Sequence, residues 1–311
     1  MNETSLNVTG LKKYYGEVKA VDGISFQVEP GTVFGMLGPN GAGKTTTIES
    51  LIGLKERDEG QVSILGLDPA RGEEIKELKS RIGVQLQSPS LFPRLSVREM
   101  INLFGSFYQD PLATEEVIEK VGLIDKGDER VQNLSGGQEH RLAVGLAMVS
   151  NGDIIFLDEP TTGLDPQARR QLWDVIRDLK KEGVTVFLTT HYMDEAETLC
   201  DDLVIIDHGK IIAHGSPNQL INNYFKERAV EFADPGFSDE ELKQLEEKNL
   251  AKRINYEKKE NHIILYTDDI TYTMNQLLEF GEMIDKEIDD IMVRQATLED
   301  VFLKLTGRGI R

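Results

Sequence analysis

A single cysteine and a single tryptophan occur among 311 residues. The lone Cys200 excludes an internal disulfide and fits a reducing compartment. No run of 18 apolar residues occurs, so no segment is expected to cross a membrane as a helix. The opening residues, MNETSLNVTG, lack the apolar stretch of a secretion signal. The N-x-[ST] sequons at Asn2, Asn7 and Asn133 are therefore read as chance. Basic residues are scarce too, with 35 Lys and Arg against 54 Asp and Glu, a net charge of -19. Residues 226–311 hold 13 of the basic and 20 of the acidic residues, so the acidity is spread and is no mere tail. Nucleic acid as main partner requires a basic face that neutralises phosphates, so none is expected.

What is present suffices for a substantial core. Hydrophobic residues make up 39% of the chain, and its length suggests two domains or one large one. Residues 6–13 and 18–28 read as strands joined through Gly16. Val33–Leu37 reads as a short buried strand, Lys44–Leu54 as a helix, and Gln61–Leu65 and Ile82–Gln85 as strands. From residue 88 to 150 the pattern is helical, over Val97–Tyr108, Thr114–Val121 and Gly137–Ser150. Strands return at Asp153–Leu157, Val184–Thr189 and Leu203–Asp207, with helices at Gln167–Lys181 and Met193–Cys200 between them. That alternation predicts an α/β fold with a mainly parallel sheet. Beyond Ser216 the texture changes. Strands are expected at 228–233, Ala251–Glu257, Ile263–Tyr266 and Ile284–Val293, and helices at Asp239–Lys248, Ile270–Phe280 and Thr297–Leu305. The order βαββαβ is that of a small ferredoxin-like α+β unit, and Thr297 with Asp300 reads as a helix N-cap. The domains are accordingly 1–225 and 226–311.

Three motifs carry chemistry. Gly38-Pro39-Asn40-Gly41-Ala42-Gly43-Lys44-Thr45-Thr46 fits the phosphate-binding loop, set between strand and helix. Its glycines turn backbone N–H groups toward phosphate oxygens, and the helix N-terminus adds positive potential. Lys44 would reach the β- and γ-phosphates, and the Thr45 hydroxyl would bind Mg²⁺. At average composition the four fixed positions match by chance in about 1 of 100 chains this long. Asp158 ends the apolar strand Ile154–Leu157, so it points into the same crevice as a Mg²⁺ ligand. Glu159 is placed to act on an attacking water. Leu134-Ser135-Gly136-Gly137-Gln138 opens a helix as a second anion site, which one nucleotide cannot explain.

Together these motifs resemble the nucleotide-binding subunit of an ATP-binding cassette transporter, over about residues 5–222. The resemblance implies a P-loop NTPase cassette with an N-terminal antiparallel β part and a helical subdomain at about 88–150, using ATP and Mg²⁺. Tyr15, before Gly16, would stack on adenine, Tyr14 being the other register. In the segment RIGVQLQ, Gln87 would sense Mg²⁺ and the γ-phosphate, Gln85 lying two residues earlier. Thr162–Asp165 resembles the loop that crosses between subunits; taken alone, Asp165 reads as a helix N-cap before Pro166. His191 would be the switch histidine at the γ-phosphate. Ser135, Gly136, Gly137 and Gln138 would contact an ATP held by a second cassette, most simply an identical copy. Lys44, Gln87, Glu159 and His191 form the implied catalytic set, and Thr45, Gln87 and Asp158 the implied metal set. Glu139 and His140 depart from the basic or amide residues common there and are read as a solvated helix face.

The pore would be a separate membrane-spanning permease, with this chain peripheral on the cytoplasmic face. TLEDVFLKLTG, Thr297–Gly307, resembles the tail of cassettes from bacterial two-component drug, antibiotic and sodium exporters. A soluble cassette ATPase acting on ribosomes or DNA is the first alternative. Its usual two cassettes per chain, or a long coiled coil, are absent from the sequence. A non-hydrolysing ATP-binding regulator is the second, and Glu159 and His191 weigh against it.

Overall fold

A computed structural model describes residues 4–87, 90–225, 228–247, 253–257 and 262–307. The chain divides into two compact units after Pro217, earlier than the boundary near 225 expected from sequence. The first unit begins with β1 (Leu6–Tyr15) and β2 (Val18–Val28), an antiparallel hairpin turning at Gly16. Then follow β3 (Val33–Leu37), α1 (Lys44–Leu51), β4 (Glu59–Ile64), α2 (Glu74–Arg81) and β5 (Ile82–Gln85). The helical region holds α3 (Val97–Gly105), α4 (Thr114–Lys120) and α5 (Gly136–Met148). The unit is completed by β6 (Ile154–Asp158), α6 (Pro166–Lys181), β7 (Thr185–Thr190), α7 (Met193–Leu199), β8 (Asp202–Asp207) and β9 (Lys210–Gly215).

Two sheets form this unit. One is antiparallel, in the order β2-β1-β4; the other has the order β5-β6-β7-β3-β8-β9 and is parallel except for its last pair. Every residue of β3, β6 and β7 is buried, as expected of strands covered on both faces. Phe26 of β2 stacks on Phe34 of β3 with ring centroids 5.2 Å apart, and Phe34 and Phe156 each lie 5.6 Å from Phe187. Such ring pairs add about 0.5–1.5 kcal/mol each beyond area burial. They join the two sheets through one core. The parallel order brings the C-terminal ends of β3, β5, β6 and β7 to one edge, where ligands of open α/β sheets bind.

Among the α-helices and strands of the described residues, α2, β9 and α8 (Pro217–Tyr224) escaped the sequence reading. Helix α1 stops at Leu51, not Leu54, because Gly53 adopts φ +74°.

The second unit continues from α8 with β10 (Arg228–Ala233), α9 (Asp239–Glu247), β11 (Arg253–Glu257), β12 (His262–Thr267), α10 (Ile270–Met283), β13 (Met292–Gln295) and α11 (Leu298–Thr306). Its antiparallel sheet has the order β11-β12-β10-β13, that of a split βαβ arrangement. Lys248 and Ala251, at the ends of expected elements, lie outside the described residues. The strand expected over Ile284–Val293 is corrected to Met292–Gln295. Asp285 and Asp290 take φ +56° and +53°, which an extended strand cannot contain. Ile284, Ile288 and Ile291 instead pack against Phe232, Phe280 and their neighbours.

Thr297 caps α11 in a reciprocal box with Asp300, as its sequence suggested. Asp300 is buried and does more than cap. It accepts hydrogen bonds from the Tyr266 hydroxyl at 2.5 Å and from Arg294 at 2.6 and 3.1 Å. Burial alone would raise the Asp300 carboxyl, but these donors hold it below the ordinary aspartate value. Its contribution is therefore present above about pH 4 and is lost as pH falls through the lower folded value. Arg294 keeps its pair with Glu231, so Asp300→Ala should destabilise this unit by about 1–3 kcal/mol, the cost of removing the buried acceptor of the Tyr266 hydroxyl. Urea unfolding followed by circular dichroism checks this; a loss under about 1 kcal/mol contradicts it.

Candidate functional site

The loop from Gly38 to Gly43 is built where side chains do not fit. A Cβ on Gly38 would sit 2.3 Å from the Ile206 carbonyl, and one on Gly43 2.2 Å from the Ala20 carbonyl. Gly43 also takes φ +108° and Gly41 φ +80°. Lys44 and Thr45 then open α1 at the mouth of a cavity of about 700 Å³, within the range of small-molecule sites. Asn40, Gly41, Gly43, Lys44, Thr45, Thr46, Gln87 and Glu159 line it, together with Val18. Gly38, Pro39 and Ala42 shape the loop from behind.

Lys44 is 4% exposed. Its ammonium donates to the carbonyls of Gly38 at 2.8 Å and Pro39 at 3.0 Å, and pairs with Glu159 Oε1 at 3.0 Å. All three of its protons are thereby used. Glu159 Oε2 accepts from Thr162 Oγ1 at 3.0 Å and lies 3.1 Å from His191 Nδ1. Gln87 Nε2 approaches the same oxygen at 3.5 Å. The His191 hydrogen bond, opposed by burial and supported by Lys44, depresses the Glu159 carboxyl to about 2. Its stabilising contribution is full above the ordinary value of 4.5 and falls away between pH 4.5 and 2.

Glu159 is also strained, with φ +48°. A non-glycine residue there costs on the order of 1–3 kcal/mol and persists only where its surroundings over-determine it. Its N–H is fixed by the Thr189 carbonyl at 3.2 Å and the Thr189 hydroxyl at 3.0 Å.

Asp158 is fully buried at the end of β6. Oδ1 accepts from Thr189 Oγ1, while Oδ2 has no hydrogen-bond partner among the described residues. Burial raises its carboxyl above the ordinary value, against the pull of the Thr189 and Thr45 hydroxyls. An orphaned carboxylate oxygen beside a hydroxyl is an oxygen donor set, and hard oxygen ligands suit Mg²⁺.

The remaining expected residues fall in two places. Gln87 reaches the cavity, whereas Gln85 is buried and donates to the Leu86 carbonyl. Tyr15 is 44% exposed, lies outside the cavity lining, and has the ammonium groups of Lys13 and Lys55 about 5.5 Å from its ring. Tyr14 is turned away, its hydroxyl donating to Asp22. Asp165 caps α6, accepting from Gln167 N at 2.9 Å and Ala168 N at 3.0 Å with Pro166 behind it. Ser135 caps α5 in a reciprocal box with Gln138. None of Ser135–Gln138 lines the cavity that holds Lys44. Glu139 is half-buried, and His140 departs from a solvated face, its Nδ1 lying 2.7 Å from the Pro160 carbonyl.

Two features were invisible in the sequence. Val18, 64% exposed, stands at the cavity wall because the hairpin turn carries it there. Glu195 on α7 is buried, accepting from Trp173 Nε1 at 3.0 Å, and burial raises its carboxyl. An acidic residue in a helix after a strand carries no sequence signal for burial.

The family described as ABC transporter matches residues 21–162. A Nod factor export ATP-binding protein I from Paraburkholderia xenovorans is 38% identical over 318 residues, with all of both chains covered. Its counterpart from Ralstonia nicotianae is 40% identical, covering 98% of this chain and 95% of that one. Among solved structures, an ATP-binding cassette of an ABC transporter in its ADP conformation aligns with a TM-score of 0.63. It is 29% identical, over 71% of this chain and 94% of the other. A glycine loop facing Asp158 and Glu159, full-length likeness and a shared cassette fold lead to one conclusion: the chain belongs to the ATP-binding cassette family, as the ATP-binding, ATP-hydrolysing subunit of a transporter.

Proposed function

We propose that this chain powers export through a separate membrane permease, by closing as a pair of cassettes around two ATP molecules. The observation that carries this reading is the separation of two anion sites. The loop at Gly38–Thr45 and the turn at Ser135–Gln138 do not share a cavity. Both present helix N-termini suited to phosphate. A second, antiparallel copy supplies the missing half to each.

In the free chain Lys44 is spent on its own loop and on Glu159. Phosphates entering the loop compete for its ammonium and for His191. Glu159 loses the partners that hold it near 2, so its carboxylate becomes a better acceptor for the proton of an attacking water. Asp158 and Thr45 would hold Mg²⁺, which offsets phosphate charge when bound. Gln87 is the cavity residue placed to report on that region, and Tyr15 requires a turn of its ring to reach a base. Ser135 and Gly137 of the partner would complete the γ-phosphate cage. The chemistry is then positioning and charge stabilisation.

An apolar groove of about 430 Å³ lies on the helical region, lined by Phe92, Pro93, Arg94, Leu95 and Leu103. Phe92 and Phe107 are 53% and 73% exposed. Large exposed aromatics mark interaction surfaces, and an element of the permease is the occupant that fits a transporter subunit. No helix among the described residues is long and apolar enough to cross a membrane itself. A place on the cytoplasmic face follows from this pairing. The export direction rests on the tail at Thr297–Gly307 and on the relatives named for export. Those relatives are named for Nod factor export.

Glu159→Gln keeps the size of the side chain, turns one accepting oxygen into a donating amide and removes the base. Turnover should fall at least about 100-fold, the scale of a lost general base, and Mg·ATP should shift the protein to a dimer on size exclusion. A monomer at saturating ATP contradicts the pairing. Phe92→Glu should lose capture of a membrane protein from detergent-solubilised membranes while wild type retains it. Equal capture by both places the permease elsewhere.

A further inference from the structure

We infer that His140 is a positioning residue that ties the Ser135–Gln138 turn to the strained turn at Glu159, linking the two half-sites within one chain. The inference rests on the pairing proposed above, since it concerns how one ATP site reports to the other.

Residue Glu159 sits at φ +48°, so both flanks of its turn need restraint. Thr189 restrains the N-terminal flank through two bonds to the Glu159 N–H. On the C-terminal flank the Pro160 carbonyl receives His140 Nδ1 at 2.7 Å. Proline has no N–H, so its carbonyl is the only backbone polar group there that can be held. His140 lies on α5, five residues beyond Ser135. The first turn of α5 also meets the next part of the same segment. A Cβ on Gly137 would lie 2.7 Å from Ala168 Cβ, so α5 and the start of α6 pack at glycine distance. The segment from Pro160 to Ala168 is thus gripped by α5 at both ends. Between them Thr162 Oγ1 donates to Glu159 Oε2, closing the circuit to the reacting carboxylate.

A phosphate drawn onto Ser135 and Gly137 by the partner would pull on α5. Through His140 that pull reaches the turn on which Glu159 is mounted. An asparagine at 140 would retain the link, because its amide nitrogen occupies the position of Nδ1. A phenylalanine would keep the ring and lose the donor.

The full chain is assayed with Phe and with Asn at position 140. His140→Phe should leave KM for ATP within about twofold, because His140 does not line the cavity, and lower kcat at least about fivefold. His140→Asn should recover at least half of the lost kcat. In the Glu159→Gln background, His140→Phe should still dimerise on Mg·ATP, and its melting temperature should match that of the background. Wild-type kcat in His140→Phe overturns the inference. So does a folded His140→Asn that is no better than Phe, or an effect confined to KM. Absence of any ATP-dependent dimer in Glu159→Gln alone defeats the pairing instead, and is read before the position-140 variants are added.

Discussion

The carboxylate of Glu159 is the point on which the site is hung. One oxygen meets Lys44 and the other meets Thr162 and His191, from three different parts of the chain. The pair with Lys44 is almost fully buried, where desolvation is costly and only further hydrogen bonds make ionisation tolerable. Those bonds are present on both partners. The result is a closed network that holds the base ionised and the lysine away from solvent. On the proposed function, an anion that competes for Lys44 would do two things at once, binding and freeing the Glu159 carboxylate. In the proposed cycle, nucleotide entry and activation of Glu159 would be one event.

That network depends on the sheet. Gly38, Glu159 and His191 follow the C-terminal ends of parallel strands, Asp158 is the last residue of β6, and β3, β6 and β7 are buried along their whole length. The stacked phenylalanines fix the register between the sheets, and so the height of these ends. A strained Glu159 survives because Thr189 and the Pro160 contact hold it from either side. The second unit is organised separately, around Asp300, Arg294 and Tyr266, and holds its own core.

Much of the site was legible because its chemistry is local. A glycine loop, its lysine and its threonine are contiguous, and the strand before Asp158 is an unbroken apolar run. Gln87 was preferred to Gln85 from its place in the RIGVQLQ segment, and the structure buries Gln85 while Gln87 reaches the cavity. The Pro160 contact of His140 spans twenty residues and leaves no periodic trace, so a solvated helix face was the natural reading. Val18 reaches the cavity through a hairpin, and Glu195 is buried by packing between α6 and α7, neither of which has a local signature. The strand expected at 284–293 is shortened because Asp285 and Asp290 take positive φ and make its first part a packed loop. Tyr15 shows the opposite case, a residue expected at the base whose ring lies outside the cavity lining with two lysines near it.

The central claim is that a catalytic site needs the loop of one chain and the Ser135 turn of another. Two inactive proteins test it directly, Ser135→Arg and Lys44→Ala, each defective in a different half. Mixed in equal amounts with Mg·ATP, they should regain activity, because a heterodimer holds one site with both halves intact. Activity that stays at the level of the separate variants at every mixing ratio would contradict the account.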